Sequence, residues 1–234
     1  MVRHKKRQQG DAREAGAPAV DVYQFGFGLL APRLGLDFAN TLNSRLTAQP
    51  RELLNNYADL VSWSRQAGIL TAREAEHLAR QAACRPIEAV SVYERAIALR
   101  EALYRIFAAV AGGRSPPAVD LETLNAILSD AFAFLRIVAT GHGFLWAWSG
   151  VEDALDRVLW PIALSVAELL TSSALKAVRE CAAPNCGWLF LDTTRNRSRR
   201  WCDMKVCGNR AKARRHYKRT KQAIADPDHE SNRR

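Results

Sequence analysis

At 234 residues with 48% apolar side chains, the chain has room for one medium domain with a proper core plus a small module. No apolar run approaches the ~20 residues of a membrane-spanning helix, so no membrane role is expected, and the absence of a targeting segment points to the cytoplasm. The net charge of +10 is unevenly spread: residues 1–180 carry 20 Lys/Arg against 19 Asp/Glu, and residues 181–234 carry 14 against 5. A dense local excess of that kind suits a polyanionic partner.

Residues 1–20 open with Arg3-His4-Lys5-Lys6-Arg7 and show no periodicity, which predicts a disordered basic arm. Tyr23 to Leu30 alternates as a short strand or loop. In Gly35-Leu-Asp-Phe-Ala-Asn-Thr-Leu42, the polar Asp37, Asn40 and Thr41 lie among Leu36, Phe38 and Leu42. They are expected either to close local turns or to line a pocket for a small-molecule effector. Apolar spacing from Leu53 to Val61 predicts an amphipathic helix stopped by Gly68, and Thr71-Ala-Arg-Glu74 is a capping box that opens another, through about Ala83.

Pro86 introduces the longest predicted helix, Ile87 to Ala111, whose core face is Val92, Ala96, Leu99, Leu103, Ile106, Phe107 and Val110. Arg95, Arg100 and Arg105 then fall on or beside its polar side, most simply as a solvated face, with the alternative that one reaches inward to pair an acidic ligand. A helix from Asp120 to Ser129 follows. Two β-like runs, Phe132–Val138 and Phe144–Trp148, joined by Thr140-Gly-His-Gly143, predict a β-hairpin. Ser149 to Ser173 reads as one helix kinked at Pro161.

The C-terminal segment is the most informative. Cys181 and Cys186 are separated by four residues, as are Cys202 and Cys207, with fifteen residues between the pairs. Short gap, long gap, short gap is the layout by which a chain wraps four thiolates around one metal ion. Soft thiolates select zinc or an iron–sulfur cluster, and zinc is the expected cofactor, as a single structural ion. Two disulfides would leave Cys84 unpaired and would require an oxidising compartment. Five residues subtend about 140° on an α-helix, so Cys202 is expected just before a helix, Asp203 at its N-cap and Cys207 in its first turns. The gap Gly187 to Trp201 is long enough for a small β-hairpin carrying the first cysteine pair on one knuckle, with Trp188-Leu-Phe-Leu191 as its strand, Asp192-Thr-Thr as the turn and Trp201 on the return to Cys202. Val206, Ala213 and Tyr217 form a thin stripe expected to dock on that hairpin. The nucleic-acid-contacting residues are expected to be Arg195, Asn196, Arg197, Arg199 and Arg200 in the loop and Lys205, Asn209, Arg210, Lys212, Arg214, Arg215, Lys218 and Arg219 on the helix.

The run from Cys181 through Cys186-Gly-Trp-Leu-Phe-Leu-Asp192-Thr-Thr and Trp201-Cys202-Asp-Met204 to Cys207-Gly208-Asn209-Arg210 resembles the bacterial CGNR-type zinc fingers. Leu36-Asp-Phe-Ala-Asn-Thr41 is similar to the signature of their N-terminal, ABATE-like domain of stress-induced transcription regulators. The resemblance implies a zinc-binding, DNA-binding regulator, with RNA as the alternative ligand. Asp203 departs from it, since a small or hydroxyl residue is expected there.

The expected architecture is therefore mainly α with a small β-hairpin. A helical sensing or dimerising domain at 21–175 is followed by a four-cysteine zinc-ribbon or treble-clef-like module at 178–221 and a disordered tail at 222–234. An enzyme is not expected, because four cysteines close the zinc shell and no nucleophile has a nearby base.

Overall fold

The computed structural model describes residues 34–141, 143–149 and 152–225. The expected basic arm, the Tyr23–Leu30 stretch, His142 and residues 226–234 lie outside the described residues. Seven helices dominate the described residues: α1 (Leu34–Ala39), α2 (Tyr57–Gln66), α3 (Ala72–Cys84), α4 (Pro86–Ala111), α5 (Ala118–Phe134), α6 (Trp160–Thr171) and α7 (Asn209–Ala225). Three antiparallel strand pairs accompany them: β1 (Leu42–Asn43) with β2 (Arg51–Glu52), β3 (Leu135–Thr140) with β4 (Gly143–Trp148), and β5 (Val178–Glu180) with β6 (Leu189–Leu191).

The apolar periodicity of α4 makes it the axle of the molecule. Ala96, Leu99, Leu103, Ile106 and Phe107 are fully buried, and α1, α2, α3, α5, β5 and β6 all pack on it. Each large side chain so buried contributes about 1.5–3 kcal/mol before the entropic cost of ordering it. The helix ends at Gly112-Gly113, where Gly113 at φ +69° lets the Arg114 N–H reach back to the Ala109 carbonyl at 2.8 Å. The capping box at α3 forms as expected, with Glu74 N–H on the Thr71 hydroxyl and Thr71 N–H on the Glu74 carboxylate.

Helix α1 is short but deeply set against α6. A methyl group at Gly35 would overlap Val166 Cγ2 on that helix. Gly35→Ala is therefore expected to cost about 1–3 kcal/mol by overpacking, measurable as a lowered urea midpoint with unchanged slope. A wild-type midpoint would show that α1 and α6 separate freely.

Four sequence expectations change. Helix α2 begins at Tyr57 rather than Leu53, because the Glu52 carboxylate takes the Leu53 and Leu54 N–H groups and Asn56 caps the helix through Asp59 N–H. Phe132 and Phe134 belong to the last turns of α5, whose buried Leu124, Ile127 and Ala131 continue the helical period. The hairpin starts only at Leu135, with Leu135 opposite Trp148 and Ile137 opposite Trp146. Finally, the segment after it is a 3₁₀ turn, Leu155–Val158, followed by α6. Pro161 lies in the first turn of α6 and causes no kink, since an N–H there would have no intrahelical partner.

Of the α4 arginines expected on a solvated face, Arg100 turns inward, while Arg95 and Arg105 stay in solvent but are held in ion pairs. Arg100 is buried and holds both Glu52 oxygens at 2.6 and 2.8 Å and Glu101 at 3.0 Å. Desolvation works against its charge, and the two carboxylates outweigh that and raise its pKa. Arg105 clasps the buried Asp120 with contacts of 2.6–3.1 Å, and Arg95 spans Asp130 and Asp156. Removing Glu52 would leave the buried Arg100 short of a counter-charge, which costs more than the pair itself contributes. Among the described residues, no helix is long and apolar enough to cross a membrane.

Candidate metal centre and nucleic-acid interface

The hairpin is not the one expected between Gly187 and Trp201: β6 pairs back with β5, so the connection between them carries Cys181 and Cys186 and the chain from Asp192 to Trp201 is a loop. Cys181 N–H bonds to the Trp188 carbonyl and Cys186 N–H to the Ala183 carbonyl, at 2.8 and 3.0 Å, which turns both thiols to one side. All of β6 is buried, and its period of two divides it. Leu189 and Leu191 join the large helical core, whereas Phe190 joins a second cluster of Cys181, Ala183, Cys202 and Cys207.

The second cysteine pair is built differently. Asp203 is an N-cap whose carboxylate accepts Val206 N–H at 2.7 Å. Met204–Gly208 is a turn of π-helix, closed by Gly208 N–H on the Asp203 carbonyl, before α7 proper begins. Cys202 thus precedes the helix and Cys207 sits in its first turn, as the five-residue separation requires. The departure at Asp203 has a physical account: an acid caps this helix end and suits its positive pole.

The four sulfurs converge within 4.8 Å of one another, with Cys186–Cys202 at 3.6 Å and Cys202–Cys207 at 3.8 Å. Tetrahedral coordination with Zn–S of about 2.3 Å places sulfurs about 3.8 Å apart, so the donor set and its spacing fit one zinc ion. The thiols compete for protons. Donated S–H bonds from Cys186 and Cys202 pull Cys181 down, while donation to Cys181 pushes Cys186 and Cys202 up. Burial raises Cys207. Loading the site must therefore expel protons, and zinc affinity falls as pH falls.

Between the pairs, Asp192 organises the loop. Burial opposes its ionisation, but hydrogen bonds from the Thr194 hydroxyl and N–H and from Arg199 N–H prevail and hold it below the usual carboxylate range. Arg195, Asn196 and Arg197 stand exposed at the tip, Arg197 with φ +48°. Arg199 turns inward instead: its guanidinium donates to the Trp201 and Cys202 carbonyls and lies 4.9 Å from the Phe190 ring centre. Its first work is to brace the metal loop. Arg200 remains exposed and lies over the ring of Trp201 at 5.5 Å.

Helix α7 carries Arg210, Lys212, Arg214, Arg215, Lys218, Arg219 and Lys221 and no acid. All seven are exposed, as are Lys205 and Asn209, and among the described residues none of these cations is in an ion pair. The expected docking on the hairpin fails at Tyr217, and Val206 only lines a cavity that Trp188 also borders. Val206 is 37% and Tyr217 68% exposed, because three small or aromatic residues bury too little area to hold a highly charged helix down. The helix also continues to Ala225, beyond the Thr220 end expected from the sequence.

Of the residues expected to line an effector pocket, Asn40 and Thr41 make structural contacts. Asn40 is buried, donates to the Leu189 carbonyl and accepts the Leu189 N–H, both at 2.9 Å, so its amide serves β6 as a strand backbone would. Thr41 donates to the Phe38 carbonyl at 2.7 Å, and Asp37 is buried on α1. Further contacts lock the same seam. Tyr104 hydroxyl donates to Glu180 at 2.9 Å, Arg45 pairs with Glu101 and lies over the Tyr104 ring, and Gly187, at φ +72°, has Leu46, Arg45 and Tyr104 within 3.0–3.4 Å of where a Cβ would stand. Single-residue reasoning missed this seam because its partners lie far apart in sequence. The one available signal was Gly187, directly after a metal ligand.

Fold and site together define a helical domain bearing a four-cysteine zinc finger with a cationic helix. The chain belongs to the ABATE family, described as "Putative stress-induced transcription regulator", whose model matches residues 32–173. A CGNR zinc finger matches residues 177–220. No curated protein matches the sequence.

Proposed function

We propose that this protein is a DNA-binding transcription regulator whose α7 lies against the phosphates of a duplex, with RNA as the weaker ligand. The observation that carries the reading is the state of α7: seven exposed cations on 17 residues, with no acid and no ion pair among the described residues. An isolated helix that is polar all round and repels itself at i,i+4 is marginal. Phosphates along a duplex relieve that repulsion and release counterions. The helix is about 25 Å long and of a width that the major groove admits. In this reading Asn209, exposed at its start beside the zinc anchor, reads base edges, while Arg195, Arg197 and Arg200 supply phosphate contacts from the loop.

The test is fluorescence anisotropy of the zinc-loaded chain with a duplex and a single-stranded RNA of equal charge, over a salt series. Duplex binding is expected to be tighter, with log affinity against log salt falling at a slope of about −4 to −6, as for five or six neutralised phosphates. Circular dichroism should show added helix on binding, since α7 gains the partner its charges lack. Tighter RNA binding would move the function to RNA; absence of both at moderate salt would end the nucleic-acid reading.

A further inference from the structure

A cavity of about 260 Å³ opens at the seam beside the metal centre. One wall, Asn43 and Ser44, comes from the helical domain. The others are Trp188 and Asn185 of the hairpin, Cys186, Cys202 and Cys207, and Arg210 and Arg214 one turn apart on α7. The lining combines features that seldom coincide by packing alone: two exposed guanidinium groups without ion-pair partners among the described residues, an indole wall, and two side-chain amides. Residues four apart on a helix share a face, so Arg210 and Arg214 present their forks together. Asp203 is the one acid on the lining, and its carboxylate is engaged in capping Val206 N–H.

From this lining we infer that the cavity binds one nucleotide unit, its phosphate on Arg210 and Arg214 and its base in the seam against Trp188. Arginine forks match phosphate oxygens bidentately. Flat bases stack on aromatic walls, and an amide such as that of Asn185 pairs with base edges, while the Asn43 oxygen is taken by the Ser44 N–H. The unit has two sources, a free mononucleotide or an unpaired nucleotide of a bound strand. The strand source rests on the nucleic-acid reading above; the free source does not. Because the walls come from both parts of the chain, occupancy stiffens the seam and engages two cations of α7.

The test uses the zinc-loaded full chain. Isothermal titration with the four nucleoside 5′-monophosphates is expected to show binding by at least one of them, at least tenfold tighter than inorganic phosphate. Arg214→Ala and Asn185→Ala, both at exposed positions, are each expected to weaken it about tenfold with zinc content unchanged. In parallel, a fully paired duplex is compared with the same duplex carrying one unpaired nucleotide. A tenfold preference for the second, abolished by Asn185→Ala, assigns the strand source; mononucleotide binding without that preference assigns the free source. Duplex binding with neither effect overturns the cavity proposal and leaves the regulator reading standing. Mononucleotide binding without any duplex binding does the reverse. Loss of zinc in Arg214→Ala would show that the arginine serves to offset the charge of the thiolates, and would also overturn the proposal.

Discussion

Cys202→Ser is expected to abolish stoichiometric zinc binding and, with it, the order of residues 181–208 and the anchoring of α7. Structural zinc contributes roughly 10–16 kcal/mol to small zinc-finger peptides at neutral pH, and the four converging sulfurs leave the shell no spare ligand. The second core here is small, consisting of Cys181, Ala183, Phe190, Cys202 and Cys207 with Cys186, Trp188 and Trp201 around it. Four of its five buried members are thiols or a single alanine, so without metal little apolar area remains to hold it. The consequence should extend further than the module. Val178, Leu189 and Leu191 of the metal-bearing hairpin are buried in the helical core, so releasing the hairpin exposes three large side chains there. At about 1.5–3 kcal/mol each, that loss should lower the thermal midpoint of the whole chain. Colorimetric zinc release and calorimetry on the same variant check both parts. A helical domain that melts at its original temperature would show that the hairpin docks without stabilising its host.

Asn40→Ala is expected to destabilise the folded chain by about 2–6 kcal/mol, since two buried backbone groups lose their partners and each unsatisfied group costs about 1–3 kcal/mol. The side chain is 3% exposed and its two 2.9 Å bonds to Leu189 span 149 positions of sequence. Asn40→Asp should cost at least as much at neutral pH, because a buried carboxylate still accepts the Leu189 N–H but faces the Leu189 carbonyl with a second, charged acceptor. Denaturant unfolding gives the magnitude, and competition with a chelator shows whether zinc affinity falls with it, as the contact with β6 implies. If Asn40→Ala kept wild-type stability but lost response to a small ligand, the residue would be a binding group rather than a clamp.

These two sites show why reading the sequence succeeded unevenly. The cysteine spacing carried its own geometry: a five-residue separation cannot converge from a regular helix, which placed Cys202 before α7 and Asp203 at the cap. Likewise the period of α4, its proline entry and its double-glycine end are local properties, legible within one stretch. Asn40 was legible only as a polar residue in an apolar run. Whether such a residue lines a pocket, closes a turn or clamps a strand depends on what lies opposite, and here that is Leu189. Arg100 posed the same problem: on a helical wheel it falls on a polar side, but Glu52 and Glu101 draw it inward. At Phe132 and Phe134 the β-like alternation was real, but α5 continued through it because Ala131 had a core to meet.

The sequence by itself determined the metal, its four ligands, the concentration of positive charge around them and the central helix, because each depends on spacing along the chain. Only the tertiary structure decided that the zinc hairpin is built into the helical core rather than tethered to it. That arrangement rests on Asn40, Tyr104, Gly187 and Leu189 meeting across long loops, and hydrogen bonding and close packing between distant residues leave no periodic trace in sequence.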